Sequence, residues 1–307
     1  MRVLVTGGAG FIGSHLVRSM LTRGVQVTVL DSFEESYEPS IKAANLEGLD
    51  VELVEGDVRD RATVEAALQG VDSVVHLAAL AGVRESLERP GEYASVNVGG
   101  TVTLLEALRG RNSIPMVYAG SSSVYGERET GPFKETDHIG FPASPYAGTK
   151  RAAELMCHAA HLSWGQRVTI LRFFTVYGPR QRPTMAIAKF IRKALAGETI
   201  PLFGAGQSRR DYTYVDDVVS AVLAAVEQPQ PFAVLNVGGG SPVTLNDLVH
   251  SIGMATGKTL KLDHLPEQPG DVSLTWADPS AIQSVLGWSA QTSLIDGLRR
   301  TVQSLSD

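Results

Sequence analysis

A single cysteine, Cys157, stands in a chain of 307 residues. One thiol can form neither an internal disulfide nor a thiolate metal cage. Inside an apolar helical pattern it reads as a small buried group. The seven histidines include no His-Glu-x-x-His pair or other ligand spacing, so no metal site is expected. Apolar runs are short, well below the roughly eighteen residues that would suggest a membrane span. The apolar start Met1–Val5 is soon cut by Gly7-Gly8-Ala9-Gly10. That is too short for the core of a secretory signal, and a cytoplasmic location is expected. Basic side chains are outnumbered, 27 Lys and Arg against 33 Asp and Glu, for a net charge of −6. Nonspecific nucleic-acid binding needs a basic footprint, which that balance does not supply.

What is present is an alternation of strand and helix signals. Arg2–Thr6, Val25–Leu30, Val51–Glu55, Val71–Leu77, Met116–Ala119 and Val168–Phe173 read as apolar strands. Between them, Gly13–Arg23, Arg61–Leu68, Pro90–Arg111 and Pro145–Ser163 read as helices. Apolar strands alternating with helices imply a parallel sheet covered on both faces. After Phe174 the chain changes character, with Gly, Pro and Arg dense from Gly178 to Arg210. Helices are expected at Pro183–Ala196, Tyr212–Val226 and Asp247–Thr256, and a strand at Val234–Val237. The expected organisation is a nucleotide-binding domain over residues 1–174, to which 212–237 return. A smaller α/β lobe, 175–211 and 238–307, interleaves with it.

Gly7, Gly10 and Gly13 form G-x-x-G-x-x-G between the first strand and the first helix. There the chain turns sharply and its backbone can approach a pyrophosphate, which the free N–H groups and positive end of the helix favour. Context lends this short motif its weight: a strand precedes it and a helix follows. Asp31 ends the second strand, where a carboxylate can accept from ribose hydroxyls and repel a 2′-phosphate, so NAD is expected rather than NADP. Asp57 and Val58, after the third strand, are expected beside the adenine.

Tyr146 and Lys150 stand four apart at the start of a predicted helix, on one face. A free tyrosine, with a pKa near ~10, is a poor base at neutral pH. A neighbouring ammonium and a cationic nicotinamide ring both favour its phenolate. Ser121-Ser122-Ser123 follows the fifth strand. In open α/β sheets ligands sit beyond the carboxyl ends of the strands, so a hydroxyl there can bond the substrate oxygen that exchanges a proton.

Together these residues resemble the extended short-chain dehydrogenases/reductases, specifically the nucleotide-sugar epimerases and dehydratases. The likeness covers essentially the whole chain. It rests on Val5–Gly13, His76-Leu77-Ala78-Ala79, Ser121–Gly126, Tyr146 to Lys150, and Arg209–Asp217. The resemblance implies a Rossmann-type doubly wound sheet. It implies Phe11, Ile12, Leu77, Ala78 and Ala79 as further cofactor contacts, Ser121 as the hydroxyl partner, Tyr146 as the base, and Lys150 on the nicotinamide ribose. A homodimer through the helices Pro90–Arg111 and Pro145–Ser163 is also implied.

Family dehydratases carry an Asp-Glu pair where this chain has Ser122-Ser123, and sugar-acid decarboxylases carry Glu at the position of Ser123. Elimination needs an acid for the leaving hydroxyl and a base for the C5 proton. Reversible oxidation at C4, epimerisation, is the chemistry that remains. Asp31–Ser40, Ala81–Arg84, Arg172–Pro183 and Gln268–Val272 are similar to UDP-glucuronic acid 4-epimerases, which convert UDP-glucuronate to UDP-galacturonate. Thr175 stands where UDP-glucose/galactose epimerases usually carry Asn. Departures from the acid epimerases are Thr184 for Asp, Gly120 for Ser and Leu80 for Gln. Ser122, Ser123 and Thr175 are the expected contacts to a sugar carboxylate. Arg84, Arg182, Arg209 and Arg210 are candidates for pyrophosphate or carboxylate, because guanidinium forks match both. Asp271 is implied by the resemblance as a contact to the uridine ribose. The alternatives are a UDP-glucose/UDP-galactose 4-epimerase and a noncatalytic NAD-sensing protein on the same fold.

Overall fold

A computed structural model describes residues 1–266 and 272–306. The first six strands are β1 (Arg2–Thr6), β2 (Gln26–Asp31), β3 (Glu52–Glu55), β4 (Ser73–His76), β5 (Met116–Ser121) and β6 (Val168–Phe173). With Phe232–Val237 they make a seven-stranded sheet in the order Phe232–Val237, β6, β5, β4, β1, β2, β3. Every pair in it is parallel. β4 and β5 are buried along their whole length, as strands covered on both faces must be. The strand order reverses between β1 and β4, which opens a crevice at their carboxyl ends.

Local signals set the elements that frame this crevice. Helix α1 (Phe11–Thr22) follows the glycine turn and starts two residues before the predicted Gly13. The helix Pro145–Trp164 begins at a Ser144 cap, whose hydroxyl accepts from Ala147 N–H at 3.2 Å. Proline occupies its first turn, where a missing N–H costs nothing, and Gly165 ends it in a left-handed conformation. The predicted long helix Pro90–Arg111 runs to Leu108 and contains a π segment, Ala94–Gly99. That bulge carries Asn97, whose side chain bonds Leu80 N, Leu80 O and Thr149 Oγ1. It ties the end of β4 to the Pro145–Trp164 helix.

Sequence pattern and structure differ most after Phe174. Tyr212–Tyr214 is not helical; it pairs in parallel with Thr175–Tyr177 outside the main sheet, and the helix starts at Val215. Of the other two helices predicted there, one begins at Ala186, three residues after Pro183, and the other at Leu245, two residues before Asp247. Two more short pairings lie outside the main sheet, Arg209–Arg210 with Val243–Thr244 and Thr199–Phe203 with Lys261–Leu265. One hydrophobic cluster runs from Leu16 and Val17 of α1 through Val218 and Val222 to Ile191, Leu248 and Leu298. The segments after Phe174 therefore share a core with the sheet.

A buried polar group sits directly under the crevice. His76, at the end of β4, bonds Thr6 Oγ1 at 2.7 Å and Thr101 Oγ1 at 3.0 Å. Burial pushes its pKa down to about 3. The unfolded imidazole takes up a proton near pH ~6.5 and the folded one does not. Stability is then lost as pH falls from about 6.5 toward 3, by about 2 kcal/mol at pH 5. Denaturant titrations at pH 7 and pH 5 should show this loss in the wild type and not in His76→Asn. Equal losses in both proteins would show that His76 does not govern the acid limb.

Candidate active site

The crevice is a cleft of about 480 Å³ lined by the ends of the sheet strands and by residues of the segment after Phe174. Its lining includes Gly7, Gly10, Phe11, Ile12, Gly13, Asp31, Asp57, Val58, Leu77, Ala78 and Ala79, which with Tyr146 and Lys150 are the residues singled out for a dinucleotide. Gly7 has φ +72°, and a Cβ there would lie 2.7 Å from Ala78 N. A Cβ on Gly13 would lie 2.2 Å from Gly7 O. Both positions admit no side chain, which keeps β1, α1 and the end of β4 in contact. Among the described residues no side chain caps α1, so its first-turn N–H groups are left for a ligand. Asp31 accepts from Ala9 N and Phe33 N, each at 2.9 Å. Burial raises its pKa against those bonds. Asp57 is gripped by Arg59, with Nη2 2.6 Å from its carboxylate, and that pairing holds its pKa low.

Ser121, Tyr146 and Lys150 line the same cleft. Ser121 ends β5, while Tyr146 and Lys150 lie in the first two turns of Pro145–Trp164. Lys150 Nζ donates to Ala119 O at 2.8 Å. Burial pushes its pKa down to about 8, against the anionic Glu154 nearby. Burial raises the Tyr146 pKa, while a hydrogen bond with Ser121 and the charge of Arg182 act downward. The Ser121 and Ser123 hydroxyls meet at 2.8 Å. A phenol, a hydroxyl and an ammonium along one cleft can move a proton to or from a substrate alcohol.

Behind them lies a buried ion pair. Arg172 Nε and Nη2 donate to both oxygens of Glu154, at 3.0 and 2.9 Å. Arg172 Nη1 donates to the Tyr125 hydroxyl, which donates in turn to Asn236. A Cβ on Gly120 would lie 3.1 Å from Glu154 Oε1, so the departure at Gly120 falls against this pair.

Of the residues expected to hold a substrate, Ser122, Thr175 and Arg182 line the cleft. Arg182 also donates to Ala81 O at 2.9 Å. Four others are not among the residues on its wall; one is Arg209, whose guanidinium lies 5.7 Å over the Trp276 ring. Ser123 is turned to Ser121, and the Arg84 guanidinium lies 5.4 Å over the Phe203 ring. Arg210 sits on the short strand Arg209–Arg210 and donates to Arg209 O. Asp271 lies outside the described residues. Leu80 is on the wall, whereas Thr184 is exposed.

Residues 3–238 match the description "NAD dependent epimerase/dehydratase family". The chain belongs to that family. A UDP-glucuronate 4-epimerase of Thermodesulfobacterium geofontis is 35% identical over 306 residues, 97% of this chain and 94% of that protein. The crystal structure of UDP-glucuronic acid 4-epimerase from Bacillus cereus, in complex with UDP-glucuronic acid and NAD, superposes with a TM-score of 0.94 at 35% identity, covering 100% of this chain and 99% of that one. A UDP-glucose 4-epimerase of Thermotoga maritima with UDP-glucose superposes at 0.93 with 34% identity over the same shares.

Several wall residues of this epimerase/dehydratase chain escaped the sequence reading. Tyr37 and Lys42 face the cleft from the segment after Asp31. Lys42 donates to Glu34 O and lies 4.8 Å from the Tyr37 ring centroid. The Tyr37 hydroxyl is buried without a hydrogen-bond partner among the described residues. The family-like stretch Asp31–Ser40 was the available signal, but spacing does not show which of its side chains turn inward. Asp211 was legible only as part of a motif. Its carboxylate accepts from Gly239, Gly240 and Ala277 N–H at 3.0, 2.9 and 3.0 Å, a structural lock beside the sheet edge.

Proposed function

We propose that this chain interconverts UDP-glucuronate and UDP-galacturonate, in the cytoplasm, with NAD retained between turnovers. The observation that carries the reading is the sugar end of the cleft. Ser122 and Thr175 present neutral hydroxyls there, beside Ser121 and Tyr146, at a place where elimination would need an acid. The likeness to UDP-glucuronate 4-epimerases over nearly the whole chain supports it.

The residues fit NAD: a glycine turn without room for a side chain, an uncapped helix start, and a carboxylate at the end of β2. Held by these residues, NAD would supply the hydride acceptor and donor for oxidation and re-reduction at C4. Tyr146 takes the C4 hydroxyl proton and later gives it back, with Ser121 bonding the same oxygen. Lys150 holds the nicotinamide ribose and favours the Tyr146 phenolate. Arg182 holds the pyrophosphate or the carboxylate while the sugar turns.

A ketone at C4 beside the C5 carboxylate is a β-keto acid, which readily loses carbon dioxide when the carboxylate bond aligns with the carbonyl π system. Hydroxyls of Ser122 and Thr175 hold the carboxylate out of that alignment in both sugar poses. Incubation of the purified protein with UDP-glucuronate should yield UDP-galacturonate. Thr175→Ala and Ser122→Ala should release UDP-pentose in addition. No more UDP-pentose than the wild type would remove the proposed role of these hydroxyls. Turnover of UDP-glucose alone would make the chain a neutral-sugar epimerase.

A homodimer is part of the proposal. Leu155, Met156 and Leu162 are exposed on the helix Pro145–Trp164, with Leu87 exposed on the helix Val83–Glu88. Such apolar groups suit a partner copy. Sedimentation at twice the chain mass checks it, and sedimentation at the chain mass overturns it.

A further inference from the structure

Tyr93 is 1% exposed and closes the short helix Pro90–Tyr93. Its ring meets the Tyr146 ring edge to face, with centroids 6.3 Å apart and planes at 88°. Its hydroxyl donates to Ala81 O at 3.2 Å, the same carbonyl that accepts from Arg182 Nη1 at 2.9 Å. Ala81, Gly82 and Arg182 all line the cleft. Gly82 has φ +125°, and a Cβ there would meet the Glu85 carboxylate and come within 3.5 Å of the Tyr93 hydroxyl. The Ala81–Gly82 turn is thus pinned against Tyr93. Burial pushes the Tyr93 pKa up to about 12, so the phenol stays a donor at working pH.

We propose that Tyr93 is a positioning residue that couples the base to the substrate clamp: its ring sets Tyr146, and its hydroxyl, through the Ala81 carbonyl, sets Arg182. The two jobs use different atoms, so they separate by substitution. Tyr93→Phe keeps the ring and frees the carbonyl. The guanidinium of Arg182 then has one anchor without a cross-brace, while Tyr146 keeps its edge-on neighbour. Tyr93→Leu removes both.

The inference rests on the epimerase reading, and the test uses the NAD-loaded full chain with UDP-glucuronate. Tyr93→Phe should raise KM about fivefold, the worth of one neutral hydrogen bond, and leave kcat and its pH profile unchanged. Tyr93→Leu should in addition lower kcat and move the pH midpoint of kcat. Because Tyr93 and Arg182 share one carbonyl, the KM effects of Tyr93→Phe and Arg182→Lys should be less than additive in a double-mutant cycle. A merely structural Tyr93 would leave KM unchanged per folded molecule, or give additive effects, and either result overturns the inference. A wild type inactive on UDP-glucuronate would instead overturn the functional reading.

Discussion

Tyr146→Phe should bind NAD and UDP-glucuronate as the wild type does and epimerise about 10²–10⁴-fold more slowly, the span for removing a general base. Everything around the missing oxygen would stay in place. The ring keeps its edge-on contact with Tyr93, Lys150 keeps Ala119 O, and Ser121 keeps Ser123. Oxidation at C4 needs the hydroxyl proton to leave as hydride departs, and Ser121 alone, with no base of its own, cannot take it. The pH profile carries the sign. Burial raises the Tyr146 pKa in the empty protein, and the nicotinamide cation with Lys150 acts downward once the site is filled. Wild-type kcat should therefore rise with pH through the phenol's ionisation, and the variant's residual rate should lack that limb. Product formation, NAD content and calorimetric substrate binding read the three quantities. A fall of less than about tenfold would assign the base elsewhere.

Glu154→Ala should cost about 3–5 kcal/mol of folding stability, because it leaves the Arg172 guanidinium buried without its anion. Both side chains are 2% exposed, and two hydrogen bonds join them. The Tyr125 hydroxyl cannot take over a charge. The pair replaced together, Glu154→Leu with Arg172→Met, should recover most of the loss, since a buried ion pair contributes little over an apolar one of similar volume. Glu154 also works against the burial that lowers Lys150. In the single variant, Lys150 should lose its proton at a lower pH than about 8, and the alkaline fall of activity should start earlier. Denaturant titration reads the first effect and the pH profile of the folded fraction the second. A loss of under about 1 kcal/mol would mean that water reaches the pair.

How much of this was legible depends on how local each signal is. The glycine turn, Asp31, and the pair Tyr146 and Lys150 are short-range patterns, and all of them face one cleft. Apolar runs placed the sheet strands to within two residues at either end. The Tyr212–Tyr214 strand was missed because three residues pair only by grace of Thr175–Tyr177, 37 positions upstream. The arginines divide for a similar reason. Arg182 and Arg210 both stand in family-like motifs, but only one of them lines the cleft. A motif fixes the type of side chain and not the direction in which its strand presents it.

By itself the sequence determined the chemistry available: phosphate on an uncapped helix, a carboxylate for ribose, and a phenol and an ammonium on one helical face. Those follow from periodicity and from what each group can donate or accept, which no fold alters. Tertiary structure decided which groups act together. Tyr93 and Arg182 meet at one carbonyl although 89 positions separate them, and Glu154 reaches Arg172 from a neighbouring helix. Only chain packing fixes such meetings, because the burial that brings these groups together also sets their pKa values and the strength of their bonds.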